Sequence, residues 1–233
     1  MLKVDLHTHT ADDPQDRIPH STFDLIDRAS SLGYDALAIT LHDRQLELAP
    51  YVGYAMQRGV VLIPGMERTI EGRHVLLLNF SRAAERVHSF QDLADLRRRE
   101  PGLVVAPHPF FPVHGVGSLL DRDPDLFDAI EYNAMYTTTL NFNEAGERWA
   151  RAHGKPIVGN GDVHRLEQLG TTYSLVDADP NPGSICAAIA AGRVELVTKP
   201  LTWPAAIRLF TSIVGASLIP RRSSAPEASL ATV

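Results

Sequence analysis

The chain of 233 residues holds a single cysteine, Cys186. No disulfide can form within it, which fits a reducing compartment. Cys186 lies in a helix-like stretch and reads as a small core residue. No apolar run approaches the roughly 18 residues that suggest a membrane span. The first residues read as a strand and not as a basic region followed by an apolar signal core. These absences predict a cytoplasmic protein with no membrane partner. Basic charge is not in excess either, since the net charge is −6. That balance makes nucleic acid, held on a broad basic surface, an unlikely partner. It leaves room for a small phosphorylated substrate held by metal ions. The apolar share of 44% supports a large core, and the length fits one α/β domain. Residues 1–219 are read as that domain, and residues 220–233, rich in small residues, as a disordered tail.

Histidine is what the chain has in quantity: ten against one cysteine. This points to imidazole and carboxylate ligation and away from thiolate sites. Their placement is patterned. Apolar, strand-like runs stop on a histidine or a carboxylate at His7-Thr8-His9, His42-Asp43, Glu67, His108 and Asp162-Val163-His164. Strand ends are where chemistry collects in parallel β/α arrays. Helices are predicted over 22–32, 45–58, 90–99, 141–153 and 182–191, with Pro50 delaying the second. A hairpin is predicted over 67–80 with its turn at Glu71-Gly72. Later strands are predicted over 129–132, 156–158, 172–176 and 194–197. Strands alternating with helices favour a mainly parallel sheet, and six or seven such units favour a compact barrel.

His7 and His9 lie two apart on extended chain, so both rings project to one side. Asp162 and His164 repeat that clamp with one carboxylate. Glu67 can bridge two ions, His74 on the return strand faces back toward it, and His42 and His108 each end a strand. A ninth ligand comes from the acidic loop Asp12–Asp16. So many N and O donors exceed the needs of one ion and suit two or three divalent ions, Zn, Mn or Fe. Multinuclear sites activate a water and clamp the attacking and leaving oxygens of a phosphoryl displacement.

In order and spacing, Asp5–Thr10, Ala38–Asp43, Gly65–Glu67, His74–Leu76, His108–Phe110 and Gly159–His164 resemble the PHP (polymerase and histidinol phosphatase) domain superfamily. The stretch Ala190–Val194 is similar to that family's closing helix and strand. The resemblance implies a distorted seven-stranded, TIM-like β/α barrel with a trinuclear metal site at the C-terminal strand ends. The metal ligands it implies are His7, His9, Asp13, His42, Glu67, His74, His108, Asp162 and His164. Asp162 and His164 are the expected catalytic pair. The chain departs from the family in two places. Leu41 stands where an aspartate is usual, with Asp43 as its substitute. Pro14 stands where the acidic ligand is usual, leaving Asp13 or Asp16. Arg44 and Arg165, beside two of the motifs, are the expected phosphate-binding residues. His20, His88, His114 and His153 match no motif and read as surface or loop residues, with His114 the one nearest the mouth. Glu131 and Asn133 end a further strand, as supports of the site or as plain structure.

The activity implied is metal-dependent hydrolysis of a small phosphate monoester, nucleotide-like or histidinol-phosphate-like. Related-looking barrels also hydrolyse amides, which ammonia or amine release would distinguish. A non-catalytic interaction module is the third reading, and failure to bind metal would favour it.

Overall fold

A computed structural model of the chain describes residues 1–217. The tail read over 220–233 lies outside the described residues. The apolar runs form nine strands: β1 (Leu2–Thr8), β2 (Ala36–Ile39), β3 (Val61–Ile70), β4 (Arg73–Leu78), β5 (Leu103–Ala106), β6 (Ala129–Asn133), β7 (Ile157–Asn160), β8 (Thr172–Val176) and β9 (Val194–Thr198). They make one sheet in the order β7-β6-β5-β4-β3-β2-β1-β8-β9.

The sheet is mixed, not mainly parallel as expected. β1, β2 and β3 run parallel to one another, as do β5, β6 and β7. β4 is antiparallel to both its neighbours, and β8 and β9 are antiparallel additions beside β1. The hairpin explains β4. Glu71 and Gly72 both take positive φ (49° and 77°), the tight turn the sequence predicted, and a two-residue turn can only reverse the chain. β8 follows β7 with no α-helix between them, and a parallel crossover usually needs one.

The two ends of the sheet come round to meet. The Ser174 hydroxyl of β8 accepts from the Gly159 amide of β7 at 2.9 Å. Val163, just past β7, exchanges backbone hydrogen bonds with His7 and His9. The result is a nearly closed barrel, which brings the first and seventh strands side by side at one mouth.

Helices cover the strands. α1 (Thr22–Ser31) and α3 (Phe90–Arg99) each begin in a capping box, Ser21 with Asp24 and Ser89 with Asp92. α2 (Ala49–Met56) starts later than predicted, with Pro50 in its first turn, where a missing N–H costs nothing. α4 (Gly117–Leu120) is a single turn, and α5 (Asn143–His153) stops at Gly154. α6 (Pro182–Ala190) sends Ile185, Cys186 and Ile189 into a cluster with Val4, Ala38, Ile63, Val105 and Val158. Side chains from most of the strands thus meet one helix in a shared core. α1 and α2 cover one outer flank, and α3, α4 and α5 another. α7 (Trp203–Ser217) was not foreseen; it lies across the loops after β6 and β7, with Trp203, Ile207 and Phe210 exposed. Among the described residues no helix is long and apolar enough to cross a membrane.

Closure depends on the absence of a side chain at Gly159. A Cβ there would lie 2.6 Å from Leu196 and 2.7 Å from the Tyr173 carbonyl. Backbone cannot move aside cheaply, so Gly159→Ala should destabilise the fold by roughly 1–3 kcal/mol. Urea unfolding followed by circular dichroism measures this; an unchanged midpoint would mean that the strands do not meet as closely as described.

Candidate metal centre

Each of β1 to β7 delivers a candidate ligand to the same mouth. β1 ends in His7 and His9, β2 leads to His42, and β3 runs past its partner to carry Glu67. In the β3–β4 register His74 pairs with Thr69 and sits diagonally across from Glu67. β5 leads to His108, β6 carries Glu131, and β7 leads to Asp162 and His164.

Glu67 is the hub. Its Oε2 lies 3.1 Å from His7 Nε2, 3.2 Å from His42 Nε2 and 3.3 Å from His9 Nε2. Its Oε1 lies 2.6 Å from His74 Nδ1 and 3.2 Å from His108 Nε2. Asp162 Oδ1 stands 3.4 Å from both His7 Nε2 and His164 Nδ1, and 3.6 Å from His9 Nε2. The Nε2 atoms of His7 and His9 are nevertheless without a hydrogen-bond partner, although both residues are fully buried. They are close to carboxylate oxygens but wrongly angled to donate. A buried, unpaired polar nitrogen costs about 1–3 kcal/mol. Two of them, aimed among carboxylate oxygens with no thiolate nearby, fit divalent ions of borderline softness.

The far ring nitrogens are held by other carboxylates. His7 Nδ1 donates to Glu131 at 2.8 Å. Asp13 Oδ2 takes His9 Nδ1 and His42 Nδ1, both at 3.0 Å, and the His42 amide at 2.9 Å. Such partners fix the tautomer and leave Nε2 to face an ion. Asp13 Oδ1 meanwhile accepts from the amides of Gln15 and Asp16. Asp13, expected as a ligand, thus contacts two rings and three amides, and it lies close enough to His9 and His42 for the three to hold an ion. Asp16, the other loop candidate, approaches His164 Nε2 at 2.9 Å and His42 Nδ1 at 3.8 Å. Three residues at the mouth hold positive φ without being glycine: Asp43 (55°), His108 (29°) and Asp162 (48°). Backbone of this kind is strained and concentrates at functional sites.

Supports lie beneath. Asp5 accepts from the amides of His7 and Gly161, at 3.1 and 2.9 Å. His20, expected on the surface, is buried, and its Nε2 donates to the His9 carbonyl at 2.9 Å. Asn133 donates to Asp162 at 3.1 Å. His114 stacks on His74 with ring centroids 4.2 Å apart. Asp43 does not replace the missing aspartate at position 41: it binds Arg68, the Thr69 amide and Gln15 instead of the His42 ring. The two arginines expected to hold phosphate are engaged elsewhere. Arg44 donates to the Asp12 carbonyl, and Arg165 to Ser212 of α7 and to the His164 carbonyl. Glu131 was only half anticipated; its signal was a carboxylate at a strand end, the same as for Glu67.

Burial opposes charge on Glu67, but His7, His74 and His108 outweigh it and hold the carboxyl well below the usual range. Asp162 is likewise held low against burial by His7, His9 and His164. Burial alone would lower His7 and His9. Asp162, Glu131 and Glu67 keep His7 well above the ordinary value, and Asp13, Asp162 and Glu67 do so for His9. His108 is raised by Glu67 against burial, whereas His74 is lowered because burial wins there. Burial pushes Asp5 up to about 7.

The chain matches the PHP-associated family model over residues 141–194. No curated protein matches its sequence. Among solved structures it is similar to a two-domain protein of Bacteroides vulgatus containing a predicted PHP-like metal-dependent phosphoesterase. There the TM-score is 0.64 and the identity 18%, over 91% of this chain and 69% of that one. An amidohydrolase of Chromobacterium violaceum with bound sulfate is similar at TM-score 0.59 and 18% identity, over 82% of this chain and 97% of that one. The lesion-specific Endonuclease Q of Pyrococcus furiosus is similar at 0.56 and 15%, over 90% and 66%. Endonuclease Q has also been solved with a 27-mer duplex whose abasic lesion lies at the active site. The expectation that acidic net charge makes nucleic acid unlikely is therefore withdrawn. Net charge describes the whole surface, whereas a barrel mouth meets a phosphate through its local ligand cluster.

These shifts predict opposite pH trends for metal-free and metal-loaded protein. Raised His7, His9 and His108 stabilise the metal-free fold fully below their ordinary value of about 6.5, and that contribution is lost as pH climbs through the raised values. Lowered Glu67 and Asp162 contribute above about 4 and lose it only as pH falls further. Ions compete with protons for the same nitrogens. The difference in Tm between metal-loaded and chelator-treated protein should therefore widen as pH rises from about 6 to about 8. A difference that stays constant or shrinks would contradict the ligand assignment.

Proposed function

We propose that this chain, which matches the PHP-associated model over residues 141–194 and shares its fold with a PHP-like protein, is a metal-dependent hydrolase of phosphate esters, and specifically of a small phosphate monoester. The observation that carries the reading is Glu67, with imidazole nitrogens crowded on both of its oxygens and two of them buried without a hydrogen bond. Divalent ions would be held by His7, His9 and Asp162, by His42, Glu67 and His74 with His108 beside Glu67, and by His164 with Asp16. Two to three divalent ions of the Mn, Zn or Fe type would supply Lewis acidity, neutralising phosphoryl charge and making water acidic enough to attack at neutral pH.

The chain's own residues do the rest. Glu131 and Asp13 hold protons on the Nδ1 atoms of His7, His9 and His42, so the Nε2 lone pairs face inward. His7 and His9 are wholly inaccessible, while the Asp162 and Asp16 side chains are 20% and 33% exposed. A substrate thus enters over Asp162, Asp16 and His164. Asp162 and His164 sit where the phosphate arrives, and Asn133 holds the Asp162 carboxylate in place. The strained Asp162 backbone fixes its aim before any substrate binds.

A second reading has one observation in its favour, the similarity to an amidohydrolase. Ammonia release from amides without phosphate release from esters would select it. A phosphorylated oligonucleotide belongs in the same screen; turnover of that substrate alone would reject the small-substrate part of the proposal.

Asp162→Ala and His164→Ala should each cut phosphate release by about 100-fold or more, because each removes an ion or misplaces the attacking water. Far-UV circular dichroism of the same samples should stay native-like, since the apolar core lies beneath the site. A folded Asp162→Ala protein that retains near-native turnover would remove the basis for this reading.

A further inference from the structure

The loop after β5 stands beside the metal centre and is held rigidly. The His74 amide donates to the His114 carbonyl at 3.0 Å, and the Gly117 amide to the Pro109 carbonyl at 2.7 Å. A Cβ on Gly115 would lie 2.6 Å from the Pro109 carbonyl, so the loop folds tightly on itself. Phe111 on this loop sets its ring 5.8 Å from the His108 ring. Phe142, just before α5, packs at 5.3 Å against Phe111, yet it is still 37% exposed. These two rings follow β5 and β6, so they stand on the mouth side of the barrel. Neither ring carries a polar group, and neither is needed to hold an ion. Large apolar side chains left partly in water beside a polar cluster mark a place for a ligand.

We infer that Phe111 and Phe142 form the leaving-group wall of the site and select phosphate esters whose organic part is a planar aromatic ring. The inference rests on the phosphoesterase reading above. A phosphate seated between Glu67 and Asp162 projects its organic substituent out of the mouth, and beside His108 the wall it meets is Phe111. A flat ring stacks on that surface in the offset or tilted geometries aromatic pairs prefer. An aliphatic body of similar size buries less area and gains no ring–ring contact. The ring could be a simple aryl group or a nucleobase; both offer the same face.

Two comparisons test this. Phenylphosphonate and ethylphosphonate are not hydrolysed, so isothermal titration of the metal-loaded protein reads binding alone. Phenylphosphonate should bind about five- to tenfold more tightly, and Phe142→Ala and Phe111→Leu should each bring that ratio toward one. AMP against ribose 5-phosphate, followed by phosphate release, supplies the second arm. A kcat/KM preference for AMP that the same variants erase assigns the ring to a nucleobase; a preference confined to phenylphosphonate assigns a simple aryl group. Equal phosphonate affinities together with equal kcat/KM values for AMP and ribose 5-phosphate, or a preference that survives both substitutions, overturn the inference. Phe142 is exposed enough for Phe142→Ala to fold, which circular dichroism checks. If no ester releases phosphate while the phenylphosphonate preference persists, the phosphoesterase reading fails and the aromatic wall stands.

Discussion

A carboxylate buried at the mouth of a barrel needs partners, and Glu67 has five imidazole nitrogens around its two oxygens. Burying an ionised carboxylate alone would cost several kcal/mol. Much of the architecture serves to supply its partners. β1, the loops after β2 and β5, and the hairpin strand β4 each bring a histidine to it. The sheet's irregularities have the same effect. The parallel strands bring residues from their ends, whereas the β3–β4 hairpin places Glu67 and His74 on neighbouring strands within hydrogen-bond reach. β8, inserted antiparallel beside β1, lets Ser174 bind Gly159 of β7 and so brings the Asp162–His164 segment next to His7 and His9.

The polar layer beneath is as ordered as the ligands. Glu131 holds His7 through one oxygen and the His108 amide through the other, at 2.8 and 2.7 Å, and so ties the first strand to the fifth. Asn160 accepts from the Leu6 amide, and Asp5 from Gly161. Gly161 has no room for a side chain, since a Cβ would lie 2.9 Å from the Asp5 carboxylate. Strain at His108 and Asp162 is thus offset by a frame that leaves those residues no other conformation.

What could be read from the sequence was whatever depended on local order. Apolar runs that stop on histidine are visible because strand and ligand are adjacent in the chain, and the Glu71-Gly72 turn is visible because only a reversal suits it. The separation of Asp13 from Asp16 was not visible. Both are acidic residues of one loop, and only the folded backbone shows that Asp13 spends one oxygen on the amides of Gln15 and Asp16 and turns the other to two histidines. His20 looked like a loop residue because its partner is a carbonyl eleven positions away. The antiparallel course of β8 depends on its distant neighbour β1, to which its own residues give no clue. α7 was missed although Trp203, Ile207 and Phe210 share one helical face at i, i+4, i+7 spacing; that face lies in solvent.

The double hold of Asp13 makes His9 and His42 one mechanical unit. A single oxygen fixes both rings, and the two rings stack 4.7 Å apart. Neither can turn without disturbing the other's anchor. The Nε2 atoms that the two rings turn toward Glu67 are therefore not independent: constraining one ring constrains the other. A change at residue 13 would disturb both rings in one step.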